Sequence, residues 1–186
     1  PFNFLMDPQR RIGLLGKNMK FLTEFKDYVN NDFSDFVDLE KNNLNFSYIN
    51  NTNFLNDIHF IHETMYSKSL SYYFKQEIKS HDKVSDVMTE MIKRGEKISV
   101  NKYLEVAKLQ PKISLKMDQI FAQYDFIMVP STACYAPKIG LNEITDSCLI
   151  WTFLGYPVLN IPIFYDEKTK LPYGLQIIGK KFSDLS

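Results

Sequence analysis

Asp125-Phe126-Ile127-Met128-Val129-Pro130-Ser131-Thr132-Ala133 is the stretch whose reading decides the fold. Four apolar residues in a row follow a carboxylate and stop at Pro130, which has no N–H to give to a ladder. Such a run suits a strand buried on both faces. Two similar runs come later. Val158-Leu159-Asn160-Ile161-Pro162-Ile163-Phe164 follows Gly155-Tyr156-Pro157, and Leu175-Gln176-Ile177-Ile178 stands between Gly174 and Gly179. The polar residues 165–172 between them suit a hairpin connection. Three strands tied by short turns make a sheet core, and the chain upstream reads as helices able to cover it.

Working outward, residues 11–15 read as a short strand ending in a turn at Gly16. Met19, Phe21, Leu22, Phe25 and Val29 then recur at helical spacing up to a polar break at 32–35, and residues 36–39 read as a second strand. Asn42, Asn43, Asn45, Asn50 and Asn51 mark residues 41–52 as a loop. Ile58, Ile61, Met65, Tyr66, Leu70, Tyr73, Phe74 and Ile78 form the stripe of a long amphipathic helix. Val84, Val87, Met88, Met91 and Ile92 predict another, closed by Gly95 just past its end. Ser99 is placed to cap a third, which Pro111 should kink or split. Thr145 or Asp146 can cap a short helix over 147–154, apolar nearly all round and closed by Gly155. The expected class is α/β, a mixed β-sheet covered by helices, with strands at 11–15, 36–39, 125–130, 158–164 and 174–178.

Composition narrows the function. At 186 residues the chain fits one domain with a real core. Lys+Arg and Asp+Glu each number 22, and a net charge of zero argues against a polyanionic partner. No apolar run approaches the ~20 residues of a membrane span, and no export signal opens the chain. Cys134 and Cys148, fourteen residues apart, match neither a metal knuckle nor a redox pair and read as buried thiols in a reducing, cytoplasmic compartment. His59 and His62 beside Glu63 lack the spacing of the zinc proteases and read as ordinary helix histidines. Gly16-Lys17 fails as a phosphate loop, because Asn18 stands where Ser or Thr is needed. The chain starts at Pro1 and stops after Ser186, and both ends read as cut from something longer.

Four pieces in register carry a resemblance. Tyr124-Asp125-Phe126 with Val129-Pro130-Ser131, then Ala136-Pro137-Lys138-Ile139-Gly140, then Gly155-Tyr156-Pro157 with Ile161-Pro162, and last Leu171-Pro172-Tyr173-Gly174-Leu175-Gln176-Ile177-Ile178-Gly179 resemble the carboxy-terminal half of the amidase signature family. Tyr103-Leu104 fit the family's helix before the first of these strands. The resemblance implies that residues 1–186 form the carboxy-terminal part of one amidase domain. Residues 1–97 would supply a strand–helix–strand unit plus helical cover, and 98–186 a helix, three core strands and a pocket loop. Family members hydrolyse amide C–N bonds with a Ser, a second Ser in a cis peptide linkage and a Lys, which needs no cofactor. That machinery sits in a Gly/Ser-rich core in the family's amino-terminal half. Here the seven glycines include no adjacent pair, so no catalytic residue is assigned and the chain alone is expected to be inactive.

Carried over position by position, the resemblance points to Ser131 and Thr132 on the loop and to Cys148, Trp151 and Thr152 on the short helix as the wall of the acyl pocket. Trp151 is equally at home in the core, and Thr152 can spend its hydroxyl on its own helical turn. Thr152 stands where many members carry Asn, which favours a hydrolase over the A subunit of a glutamyl-tRNA amidotransferase. A third reading is a non-catalytic binding or assembly domain. The expected partner is a small amide, with no nucleic acid and no membrane. Half a sheet also leaves a raw edge, through which the chain is expected to self-associate.

Overall fold

The computed structural model describes residues 7–16, 19–79, 84–141, 144 and 146–183, apart from the side chains of Lys20 and Phe21. Lys17, Asn18 and Thr145, which figured in the sequence reading, lie outside the described residues. Two compact units divide the chain: Pro1–Asn56 with Leu115–Ser186, and Asp57–Ser114.

The first unit is built on one sheet. Its strands are β1 (Arg11–Leu14), β2 (Asn45–Tyr48), β3 (Phe126–Pro130), β4 (Val158–Tyr165) and β5 (Pro172–Ile178), in the order β2-β1-β3-β5-β4. β1 runs parallel to both β2 and β3, while β5 is antiparallel to β3 and β4. The sheet is therefore mixed, as the sequence predicts. All five residues of β3 are buried, the outcome of covering both faces of a central strand. On one face Ile12, Leu14, Phe126, Met128, Leu175 and Ile177 pack with Phe33, Val37 and Leu44. Asp125 ties β3 to β1 by accepting the Arg11 N–H at 2.8 Å. That bond, ahead of the Arg11 charge, lowers the pKa of its carboxyl.

Two expectations fail between β1 and β2. Residues 36–39 are no strand, and 32–35 are no break: helix α1 (Asp27–Glu40) runs through both. Val29, Phe33 and Val37 recur every fourth residue and are buried, whereas Asp35 and Asp38 are exposed. The apolar run at Phe36 and Val37 is thus a helix face met side-on. The second strand is instead β2, inside the Asn-rich segment read as a loop. It pairs with β1 from Arg11↔Asn45 to Leu14↔Tyr48, and the Ile49 N–H extends the ladder to Leu14 O at 2.9 Å.

The second unit holds α2 (Ile58–Tyr73), α3 (Asp86–Lys97), α4 (Val100–Ala107) and the start of α5 (Leu109–Phe121). Ile58, Ile61 and Leu70 of the α2 stripe are buried, but Tyr66, Tyr73 and Phe74 are exposed. His62 stacks on Tyr66 with ring centroids 5.3 Å apart. Ser85 and Ser99 cap α3 and α4, accepting the N–H groups of Met88 (3.3 Å) and Lys102 (3.1 Å). The chain breaks at Lys108, and Pro111 falls in the first turn of α5, where its missing N–H leaves no helical bond unmade. Gly95 does not close α3, which continues to Lys97 with Ile98 as its C-cap. Its role is close approach, since a Cβ there would lie 1.8 Å from Ser67 O of α2.

Candidate functional site

The site grows from the carboxyl end of β3, where the ladder stops because Pro130 has no proton to donate. Past Pro130 the chain is still held: the Ser131 N–H donates to Gly174 O at 2.9 Å. Ala133 is pinned twice, its N–H donating to Asp146 Oδ1 at 2.8 Å and its carbonyl accepting from Lys26 N–H at 2.9 Å. Asp146 therefore holds this loop rather than capping the next helix. Tyr28 accepts the Tyr135 N–H at 3.0 Å and stacks on its ring with centroids 4.9 Å apart. Burial raises the pKa of the Tyr28 phenol, opposed by that hydrogen bond.

Helix α6 (Cys148–Leu154) enters through Ser147, which is fully buried. Its Oγ lies 2.7 Å from Pro130 O and 3.0 Å from Gln176 Oε1, and its single proton serves one of these acceptors at a time. Gly155 ends the helix in the left-handed region at φ 71°, as its position in the sequence predicts. These bonds join the end of β3, the start of α6 and the middle of β5 into one rigid corner.

Two hydroxyls in this corner have no partner among the described residues. Ser131 Oγ and Thr132 Oγ1 are both buried without a hydrogen-bond partner. An unsatisfied buried hydroxyl is worth about 1–3 kcal/mol of lost stability, so such groups point to a ligand or a neighbouring segment that would satisfy them. Beside them Gly174 is buried and closely packed. A Cβ at that position would meet Asn160 Oδ1 and Ile161 O at 2.8 Å and Ser131 Oγ at 2.9 Å. The hydroxyl of Ser131 and the amide oxygen of Asn160 thus take the place that a side chain at 174 would fill, which is why only glycine fits there.

Of the residues singled out in the sequence, Ser131 and Thr132 come together here. Cys148 and Thr152 are exposed on α6. Trp151 is 0% exposed and meets Tyr156 edge-on with centroids 6.5 Å apart, so it belongs to the core. Cys148 is thus not the buried thiol expected of it, and Cys134 is only partly covered. Ser147, Asn160, Gly174 and Gln176 were read in the sequence as parts of a helix and two strands and not as neighbours of this loop, because only the register Asn160↔Gln176 and the turn of α6 bring them to the end of β3. Among the described residues no group of three His, Cys, Asp or Glu is placed to hold a metal ion, and no helix is long and apolar enough to cross a membrane.

Comparison with known proteins gives this corner its setting. The family model described as Amidase matches residues 31–186. The A subunit of glutamyl-tRNA(Gln) amidotransferase from Saccharolobus solfataricus is 32% identical over 93 residues, covering 45% of this chain and 19% of that protein. Its counterpart from Thermotoga maritima is 31% identical over 86 residues, 41% of this chain and 17% of that protein. The structure overlays a crystal structure of an amidase with a TM-score of 0.81 at 18% identity, covering 94% of this chain and 42% of the other. It overlays a structure of allophanate hydrolase from Kluyveromyces lactis with a TM-score of 0.79 at 15% identity, covering 96% of this chain and 30% of the other. The matches thus span less than a fifth of the curated relatives and less than half of these solved structures. With a family model matched from residue 31 to residue 186 and an amidase fold beneath it, this chain belongs to the amidase family.

Proposed function

We propose that this chain is the pocket-side part of an amide C–N hydrolase whose Ser, cis-Ser and Lys lie outside it, and that alone it hydrolyses nothing. The observation that carries the reading is the pair of unpartnered hydroxyls, Ser131 and Thr132, at the carboxyl end of β3. In α/β sheets the carboxyl ends of strands are where ligands collect, and a planar amide offers a carbonyl acceptor and an N–H donor to such groups. A substrate carbonyl would accept from one of these hydroxyls. The role of these hydroxyls is positioning, since the nucleophile and its base come from the other half of the domain.

The test uses a fluorophosphonate serine probe and a panel of simple amides. The chain alone should neither label nor release product, whereas an assembly that also contains the Gly/Ser-rich half should do both. In that assembly Ser131→Ala should raise KM with kcat little changed, the mark of lost ground-state binding. Serine-dependent turnover by the purified chain alone would refute the reading.

A second reading keeps the chemistry but changes the substrate. The match to the amidotransferase A subunits from Saccharolobus solfataricus and Thermotoga maritima favours release of ammonia from glutamine for a partner protein. Glutamine outcompeting simple amides in the same assembly would select it.

A further inference from the structure

We infer that the cavity between α1 and the β4–β5 hairpin is a binding site for a small amphiphilic amine, an organic cation that carries an apolar arm. The cavity holds about 670 Å³, a size within the range of small-molecule sites. Its floor is the sheet itself, through Met128, Leu175 and Ile177, none of them more than 3% exposed. Phe36 and Leu39 of α1 form one wall, and Ile163, Phe164 and Tyr165 of β4 form the other. All of these residues belong to the first unit. Ser131 and Thr132 do not line the cavity, so the inference stands apart from the hydrolase reading.

The rim sets the chemistry of the ligand. Asp32, Asp35, Glu40 and Glu167 stand around the apolar interior, and among the described residues no Lys, Arg or His lines it. On α1 the spacing of Asp32, Phe36, Leu39 and Glu40 puts carboxylates and apolar groups on one side of the helix. Glu40 is met by the side-chain amide of Asn43 at 3.0 Å, and Glu167 by Lys170 at 3.2 Å. Among the described residues neither Asp32 nor Asp35 has a cation within ion-pair distance. Burial, then the charges of Asp35 and Asp166, raises the pKa of Asp32, so negative charge is crowded there with nothing to balance it.

The same rim keeps the mouth in contact with water, because laying a protein segment over these carboxylates would strip solvent from unpaired charges. A dissolved cation meets both demands of the site. Its ammonium group sits among the carboxylates, and its apolar arm lies on Met128, Leu175 and Ile177. Phe36 and Phe164, which meet edge to face with centroids 6.4 Å apart, add aromatic rings to which a cation is drawn. A neutral ligand leaves the carboxylates unanswered, and an anion is repelled by them.

The test titrates this chain at pH 7 with phenylbutylamine, phenylbutanol and phenylbutanoate, three probes of one shape and different charge. Binding is read by calorimetry and by amide shifts in nuclear magnetic resonance spectra. The amine should saturate one site per chain, shift residues 32–40 and 163–167, and bind roughly tenfold more tightly than the alcohol. The carboxylate should not bind. Asp32→Asn combined with Asp35→Asn should erase the preference for amine over alcohol and leave alcohol binding unchanged. Ile163→Trp, which fills the cavity from a position already 36% exposed, should block both probes, with folding of each variant checked by circular dichroism. Equal affinity for amine and alcohol, a preference that survives the double substitution, shifts outside the cavity, or several amines per chain would each overturn the inference.

Discussion

Gly95→Ala is the substitution whose outcome tests the packing of the helical unit most directly. On an isolated helix the change is favourable by about 1 kcal/mol, because Ala gives up less backbone freedom than Gly. Here the new Cβ would stand 1.8 Å from Ser67 O and 2.4 Å from Ser67 C, both backbone atoms of α2 with no rotamer through which to retreat. Ordinary contact begins at 3.4 Å, so α3 and α2 must part by about 1.6 Å along their tightest line. Separating packed helices by that much strains Ile92, Ile61 and Leu70, all buried. Overpacking of this kind costs about 1–3 kcal/mol. With rigid backbone on both sides this case lies in the upper part of that range, about 2–3 kcal/mol, so after the propensity gain the net loss is on the order of 1–2 kcal/mol. Urea unfolding followed by far-ultraviolet circular dichroism reads the loss as a lower midpoint at unchanged slope. Hydrogen exchange places it in residues 58–73 and 86–97. A midpoint equal to or above the parent's would mean that the two backbones do not touch at Gly95, and the reasoning would fall.

Three further perturbations follow from the first unit. Ser147→Ala removes the hydroxyl shared by Pro130 O and Gln176 Oε1 in a fully buried place, and should lower stability by about 1–3 kcal/mol in the same urea assay. Asp125 has a carboxyl pKa held below its ordinary value, mainly by the Arg11 N–H. Its stabilising contribution is present above the ordinary carboxylate range near 4 and is lost as pH falls through the lower folded value. An acid titration of Asp125→Asn should therefore be flatter there than the parent's. Asp32 is shifted the opposite way, upward, by burial and then by Asp35 and Asp166. A carboxyl with a raised folded pKa weakens the fold once pH exceeds its unfolded value, so Asp32→Asn should raise the melting temperature at pH 7 and change little at pH 3.

How far the sequence could be read is clearest strand by strand. β3, β4 and β5 were legible because each is a continuous apolar run bounded by Gly or Pro, a signal written locally. The caps at Ser99 and Gly155 were legible for the same reason. Residues 36–39 misled because a four-residue apolar run fits a strand and a helix face equally well, and only the burial of Val29, Phe33 and Val37 decides between them. β2 escaped because an outer strand is defined by its partner, and Asn-Phe-Ser-Tyr has little apolar content of its own to announce it. Gly95 was given the commonest local reason for a glycine, when its real reason is a neighbour in α2. The site divides along the same line. Ser131 and Thr132 were reached only through the family resemblance, whereas Asn160, Gly174 and Gln176 enter through the pairing of β4 with β5.

The tie between Arg11 and Asp125 spans 114 residues, and this sets an order of events during synthesis. β1 cannot complete its pairing until β3 has left the ribosome, which at about 5–20 residues per second is a delay on the order of ten seconds. Asp57–Ser114, by contrast, is continuous in sequence and helical. Units of that kind fold in microseconds to milliseconds. The helices should therefore be native while β1 and α1 still wait, their apolar faces exposed, for a partner not yet made. β1 and α1 are thus exposed for longer after synthesis than the helical unit that follows them, and pulse-labelling during translation should find them protected only after residues 58–107.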